Sequence, residues 1–232
     1  MLPSLIIGAP RMAMGAGPSV PVYTLDNALC WVSGASVDGD GAPTCYAPEG
    51  SGLVGLDYLA NAYSDSPAGR HWFGVVCDAT GQPIVQGEGQ PAPGYYVSAT
   101  ALVNAAFPVG DARRYVDSET VPFISVPPQL LKMGVRMGDV SLVTNRQNGR
   151  SVAAVVADVG PHSAIGELSV AAAVALGIPS SPRNGGASHG ICYLVFPGST
   201  RGWPREQADV AQQAGVLLDG WGGVVRLSRT VL

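Results

Sequence analysis

Lysine is nearly missing from this sequence: Lys132 stands alone among 13 basic residues. The arginines form no run or stripe, so the basic surface that tracks a phosphate backbone is lacking and nucleic acid is not an expected partner. Also missing is any apolar run of roughly 18 to 20 residues; Gly, Pro, Asp or Arg interrupts every hydrophobic segment, so no membrane span is expected. Cysteine is sparse. Cys30, Cys45, Cys77 and Cys192 include no C-x-x-C pair and no zinc-like spacing with the three histidines, so no metal site is expected. Cys77 and Cys192 sit in strand-like runs and read as small buried hydrophobes. Cys30 and Cys45 flank a turn-rich segment, but spacing alone does not pair them. The opening stretch "MLPSLIIGAPRMAMGAGPSVPVY" lacks a basic n-region and has only a short apolar run, so no export signal is expected.

Glycine and proline, by contrast, are abundant, at 31 and 19. With β-branched clusters and few long helical patterns, they imply a mainly β chain with a few helices and many turns. The length suits one domain. Residues 1–21 read as a flexible arm and residues 22–232 as the domain. A formal charge of −4 is ordinary for a soluble surface and decides nothing.

Along the chain, "LVGLDYLANAY" has helix-like apolar spacing. "HWFGVVCD", "PIVQ" and "GYYVSATAL" read as a meander. "GVRMGDVSLVTN" and "SVAAVVAD" make a hairpin around Asn148-Gly149, which supplies positive φ. Ser169 should cap a helix over "VAAAVAL" that Gly177 and Pro179 stop. "GICYLVFPGS" reads as a buried strand, "WPREQADVAQQAGVLLDG" as a helix ending at Gly220, and the terminal "VVRLSRTVL" as a strand.

Two acids bracket a distinctive loop. Asp158 ends a strand, Glu167 precedes the Ser169 cap, and Gly160, Pro161 and Gly166 between them let the chain fold back. Such a pair meets the needs of glycosidic cleavage, in which one carboxyl is protonated and the other ionised. Ala164, Ile165 and Leu168 should dry Glu167 and raise its pKa, while Asp158, beside turn amides, stays ionised. Each acid also has an ordinary reading, as an Asx-turn residue and as a charge at a helix start.

The segment "ADVGPHSAIGELSVAAAVALGI" resembles the signature of the fungal-type chitosanases, glycoside hydrolase family 75. "VDGDGAP", "GLDYLANA", "PAPGYYVSATAL", "RRYVDSETVPFISVP", "GVRMGDVSLV" and "YLVFPGS" resemble bacterial members of that family in the same order, from about Val22 onward. The resemblance implies an endo-acting, inverting hydrolase of β-1,4-linked glucosamine polymers that needs no cofactor, with Asp158 and Glu167 as its essential acids. It also implies an extracellular site of action, on chitosan or a related amino-sugar polysaccharide. The strand-Asp-loop-acid-helix order further resembles the double-psi β-barrel of expansins and family 45 endoglucanases, which is the expected fold.

Other residues are weaker candidates. Asp38 and Asp40 are candidates to bind sugar amines or calcium, with turn formation the expected role of at least one and Asp38 the one expected to line the groove; the D-x-D-G pattern lacks the downstream Glu of a calcium loop. Alternation puts Tyr96, Ser98 and Thr100 on one strand face as candidate substrate contacts. Asp117 and Glu119 are candidate amine contacts, and His162 lies in the catalytic loop. Trp31, Trp72, Trp203 and Trp221 are candidates for sugar stacking, with burial the competing role. A monomer is expected. Two rival functions share these features: a peptidoglycan-cleaving barrel, and an expansin-like polysaccharide-binding module without catalysis.

Overall fold

The computed structural model describes residues 11–13, 19–67 and 69–230. Of the expected N-terminal arm, residues 1–10 and 14–18 lie outside the described residues. Its described pieces, β1 (Arg11–Ala13) and β2 (Ser19–Pro21), pair antiparallel, and Val20 and Val22 already pack into the core. The domain then runs through β3 (Tyr23–Leu25) and the long β4 (Ala28–Asp38). An insertion follows, holding the hairpin β5 (Tyr63–Ser66) and β6 (Gly69–Trp72). After it come β7 (Phe123–Val126), α1 (Pro128–Lys132), β8 (Val140–Asn145), β9 (Ser151–Val159) and β10 (Glu167–Ser169). The chain continues through α2 (Val170–Leu176), β11 (Ala187–Phe196), α3 (Gln207–Trp221) and α4 (Gly223–Thr230).

Strands β10, β7, β9, β8, β11 and β4 pair in that order, and β10 pairs back onto β4, so six strands close into a barrel. Two of the pairings, β7 with β9 and β4 with β10, are parallel; the rest are antiparallel. The expected mainly β, barrel-like single domain is therefore what this sequence forms. The β8–β9 hairpin closes as its sequence predicts, with Gly149 at φ 75° and its N–H donating to the Asn145 carbonyl.

Period-2 alternation sorts the strand residues between inside and outside. Leu29, Trp31, Ile124, Val126, Val143, Ala154, Val156, Leu168, Ile191 and Tyr193, drawn from all six strands, fill the interior together with α2. Trp31 and Tyr193 stack there with centroids 5.0 Å apart. On the outer wall, Phe123, Val140 and Val155 take Val210 and Ala214 of α3, while Cys30, Cys192, Leu194 and Phe196 take Trp221 and Leu227. All four cysteines are free; Cys45 lies in the core of the insertion, away from Cys30.

Three local expectations change. The helix expected around "LVGLDYLANAY" is a single 3-10 turn, Leu59–Ala62. Beyond Trp72, which ends β6, the expected meander up to residue 100 pairs, among the described residues, through isolated bridges such as Val75 to Ser98 and Val85 to Tyr96. The terminal strand is instead α4. Gly222, in the left-handed region at φ 115°, ends α3 one residue beyond Trp221, and the chain re-enters a helix. That turn brings Arg226 back over the Trp221 ring, with its guanidinium bonded to the Trp221 carbonyl and paired with Asp26 at 2.7 Å. Val224 and Val225, the β-branched pair that looked like strand, lie on the exposed side.

Candidate active site

The site forms on the outer wall of the barrel, where β9, β7, β10 and β4 lie side by side under the insertion. In β10, Leu168 faces the interior, so Glu167 faces out. Its Cα partners are Ser36 on β4 and Ser125 on β7. Strict alternation would send Asp158 inward behind Ala154 and Val156. A register shift prevents this: Ile124 pairs with Val156, but Ser125 pairs with Asp158, leaving Ala157 as an extra residue in β9. This bulge turns Asp158 outward. Ser125 is therefore the register partner of both acids, which stand on the strands either side of it.

The insertion holds the bulge in place. Leu102 N–H donates to the Ala157 carbonyl at 2.7 Å, and Ala101 N–H donates to Asp158 Oδ1 at 2.8 Å. Ser125 Oγ donates to Asp38 Oδ2 at 2.6 Å, and Asp40 N–H donates to Asp38 Oδ1 at 2.8 Å. On the loop side, Gly160 lies so close to Glu167 that a Cβ there would sit 2.8 Å from Oε2. Ser169 Oγ ties β10 in place, accepting from Phe123 N–H and Ala172 N–H and donating to the Val121 carbonyl.

Asp158 and Glu167 open into a cleft of about 770 Å3 whose lining includes three more acids, Asp38, Asp40 and Asp57, and, among the described residues, no Lys, Arg or His. Burial, with like charges close by, raises Asp158, Glu167, Asp38 and Asp40. Burial, then the charge of Asp38, pushes Asp158 up to about 7, against the pull of the Val159 and Ala101 amides. Burial, then Asp38 and Asp158, pushes Glu167 up to about 8, with no donor opposing the rise. Burial likewise raises Asp38, although Ser125 and the Asp40 amide hold it back, and raises Asp40 well above the usual range. A site with two carboxyls poised near neutrality can hold one proton between them and exchange it with a substrate.

The drying of Glu167 has a different source from the one expected. Ile165 and Leu168 belong to the barrel interior, on the far side of the strand. The Gly160 backbone and the cleft walls cover the carboxyl instead.

Of the other candidates, Asp38 lines the cleft. Tyr96, Ser98 and Thr100 do not. Ser98 and Thr100 are buried framework: Ser98 Oγ bonds Asp40 Oδ1, the Gly74 carbonyl and the Gly41 amide, while Thr100 Oγ1 bonds the Leu102 carbonyl and the Val116 amide. Tyr96 packs on Trp72. The strand face that alternation marked as polar is thus packed inside the insertion. Asp117 accepts from Glu119 N–H and Thr120 Oγ1 in a local turn outside the cleft. Glu119 accepts from Thr44. His162 is exposed and off the lining, its carbonyl accepting from Gln129. Trp31 and Trp221 are buried, and neither Trp72 nor Trp203 lines the cleft.

The lining also contains Asp40 and two residues the sequence did not single out, Asp57 and Phe73. Asp40 is a cleft acid, bonded by Tyr46 and Ser98, as well as a turn residue. Asp57 holds the Asn61 amide with both oxygens, at 3.0 and 3.1 Å, a pairing that the four-residue Asp-Asn spacing in "GLDYLANA" offers. Phe73 is an exposed aromatic on the rim, hidden in the sequence by its strand-like context. No protein-family model matches the chain, and no curated protein matches it.

Proposed function

We propose that this chain is a chitosanase-like glycoside hydrolase, endo-acting and inverting, with Glu167 as general acid and Asp158 as general base. The observation that carries this reading is the pairing of both acids with Ser125 across adjacent strands, in a cleft lined by carboxylates and, among the described residues, no basic side chain. Two strand spacings separate their Cα atoms by about 10 Å. That span suits carboxyls about 6.5 to 9.5 Å apart with a water between them, the arrangement of inverting enzymes.

In this mechanism Glu167 gives its proton to the glycosidic oxygen as the bond from that oxygen to the anomeric carbon breaks. Asp158 takes a proton from a water that attacks the anomeric carbon from the opposite face, and the new hydroxyl appears with inverted configuration. The roles follow from environment: Glu167, pushed up to about 8 with no amide partner, keeps its proton, while the Ala101 amide favours ionised Asp158. Ammonium groups on glucosamine residues would pair with the remaining acids and relieve their mutual repulsion. The same charge disfavours murein, whose N-acetylated sugars carry no ammonium groups and whose peptides carry carboxylates, so chitosan is the preferred polymer. A polymer of this size would be met outside the cell.

The test is reducing-end release from chitosan. Asp158→Asn and Glu167→Gln should each lose activity by orders of magnitude while folding normally, and near-wild-type activity in either refutes the assignment. Clearing of cell-wall suspensions without chitosan hydrolysis would establish the peptidoglycan reading. Polysaccharide pull-down without reducing ends would establish the binding-module reading.

A further inference from the structure

A second hollow of about 300 Å3 adjoins the catalytic cleft, and Asp57 lines both. Its walls include Leu53, Val54 and Tyr58, which are 40 %, 74 % and 54 % exposed, together with the charged residues Glu49 and Arg183. Phe73, 57 % exposed, stands on the rim of the main cleft, its ring in contact with that of His71. Apolar surface of this kind beside an acidic cleft suits a ligand with apolar faces and positive charge.

The ring of Tyr58 is held in place. The Arg183 guanidinium lies 4.7 Å from its centroid and is itself bonded to the Gly55 carbonyl. The Asp57 carboxylate is oriented at the junction by the Asn61 amide and by Tyr58 N–H at 2.7 Å. Asp57, only 8 % exposed, therefore forms a fixed acid in the wall shared by the two hollows, with Tyr58 lining one and Phe73 the other.

We propose that the substrate track continues from the acid pair across Asp57 into this hollow, with Phe73 and Tyr58 as stacking surfaces and Asp57 as an ammonium contact between them. The ligand is a β-linked amino-sugar chain long enough to reach both rings. This extends the hydrolase reading and rests on it for the identity of the sugar, but it predicts a dependence on chain length that the acid pair alone does not.

Calorimetric titration of Glu167→Gln with glucosamine dimer and hexamer tests the track without turnover. The hexamer should bind at least about tenfold more tightly than the dimer. Adding Tyr58→Ala should weaken hexamer binding about tenfold and leave the dimer unchanged, Tyr58→Phe should restore the hexamer, and Phe73→Ala should weaken the hexamer as well. Equal affinities for the two lengths, or a hexamer affinity unmoved by Tyr58→Ala, overturns the track. Reducing-end release by the wild type is read separately. Cleavage with no length dependence removes the track and keeps the chemistry; length-dependent binding without cleavage keeps the track and removes the hydrolase.

Discussion

Gly160→Ala isolates the geometry of the acid from the stability of the fold. Gly160 has no positive φ, so its backbone accepts alanine. The new Cβ would meet Glu167 Oε2 at 2.8 Å, whereas its other neighbour, Ser125 Cβ, lies at an ordinary 3.8 Å. Relief to normal contact requires the carboxylate to retreat by roughly 0.6 Å, and a long side chain can do so by leaving its rotamer at about 0.5–1.5 kcal/mol. Misplacement of a reacting group by about 1 Å costs on the order of 100-fold. The expected result is a fall in kcat of about 10- to 100-fold on chitosan, with the melting temperature within a few degrees of wild type, since about 1 kcal/mol moves it 2–4 °C at this size. Wild-type kcat in Gly160→Ala would refute the placement of Glu167 as the acid. Collapse of the melting transition would refute the claim that the contact is local to the carboxylate.

Three other outcomes follow from the same residues. Carbon-13 NMR of the carboxyls in the free protein should show Asp158 titrating at about 7 and Glu167 at about 8, with both falling when a glucosamine oligomer binds; values below 5 would contradict the buried cluster. Both pKa values are raised on folding, so between about pH 4 and 8 the folded state holds more protons than the unfolded state, and stability falls as pH rises through that window. Glu167→Gln, which cannot ionise, should therefore raise the melting temperature at pH 8 and change it little at pH 5; no gain at pH 8 would argue against the charge crowding. Ser169→Ala removes three hydrogen bonds of one fully buried hydroxyl. It should cost about 2 kcal/mol, read as a drop of about 4–8 °C in melting temperature; an unchanged melting temperature would contradict the role given to this cap.

The sequence shows those parts of the fold that rest on local chemistry. Asn148-Gly149 marks the hairpin, Ser169 and Gly177 bound α2, and alternating apolar residues mark the barrel strands. The acid pair was visible as spacing, but not the means of its convergence. Asp158 faces the cleft because of a bulge at Ala157, and a bulge is a property of pairing with β7, whose Ser125 lies 33 residues earlier in the chain. Ser98 and Thr100 misled because alternation assigns two faces without saying which one water reaches; here the insertion buries the polar one. Asp57 and Phe73 escaped notice, and Asp40 was left between turn and groove, because only packing of the insertion against the barrel brings them to the same cleft. In the terminal segment, β-branched residues signalled strand, while the deciding contacts, Arg226 with Trp221 and Asp26, are tertiary.

The account turns on two carboxyls acting from opposite faces of a glucosamine linkage. Proton NMR of the first products released from a chitosan oligomer reads that arrangement directly, before the anomers equilibrate. The α-anomer should appear first, with no signal from Asp158→Asn or Glu167→Gln. Initial formation of the β-anomer, or an α-anomer still produced at the wild-type rate by either variant, would contradict it.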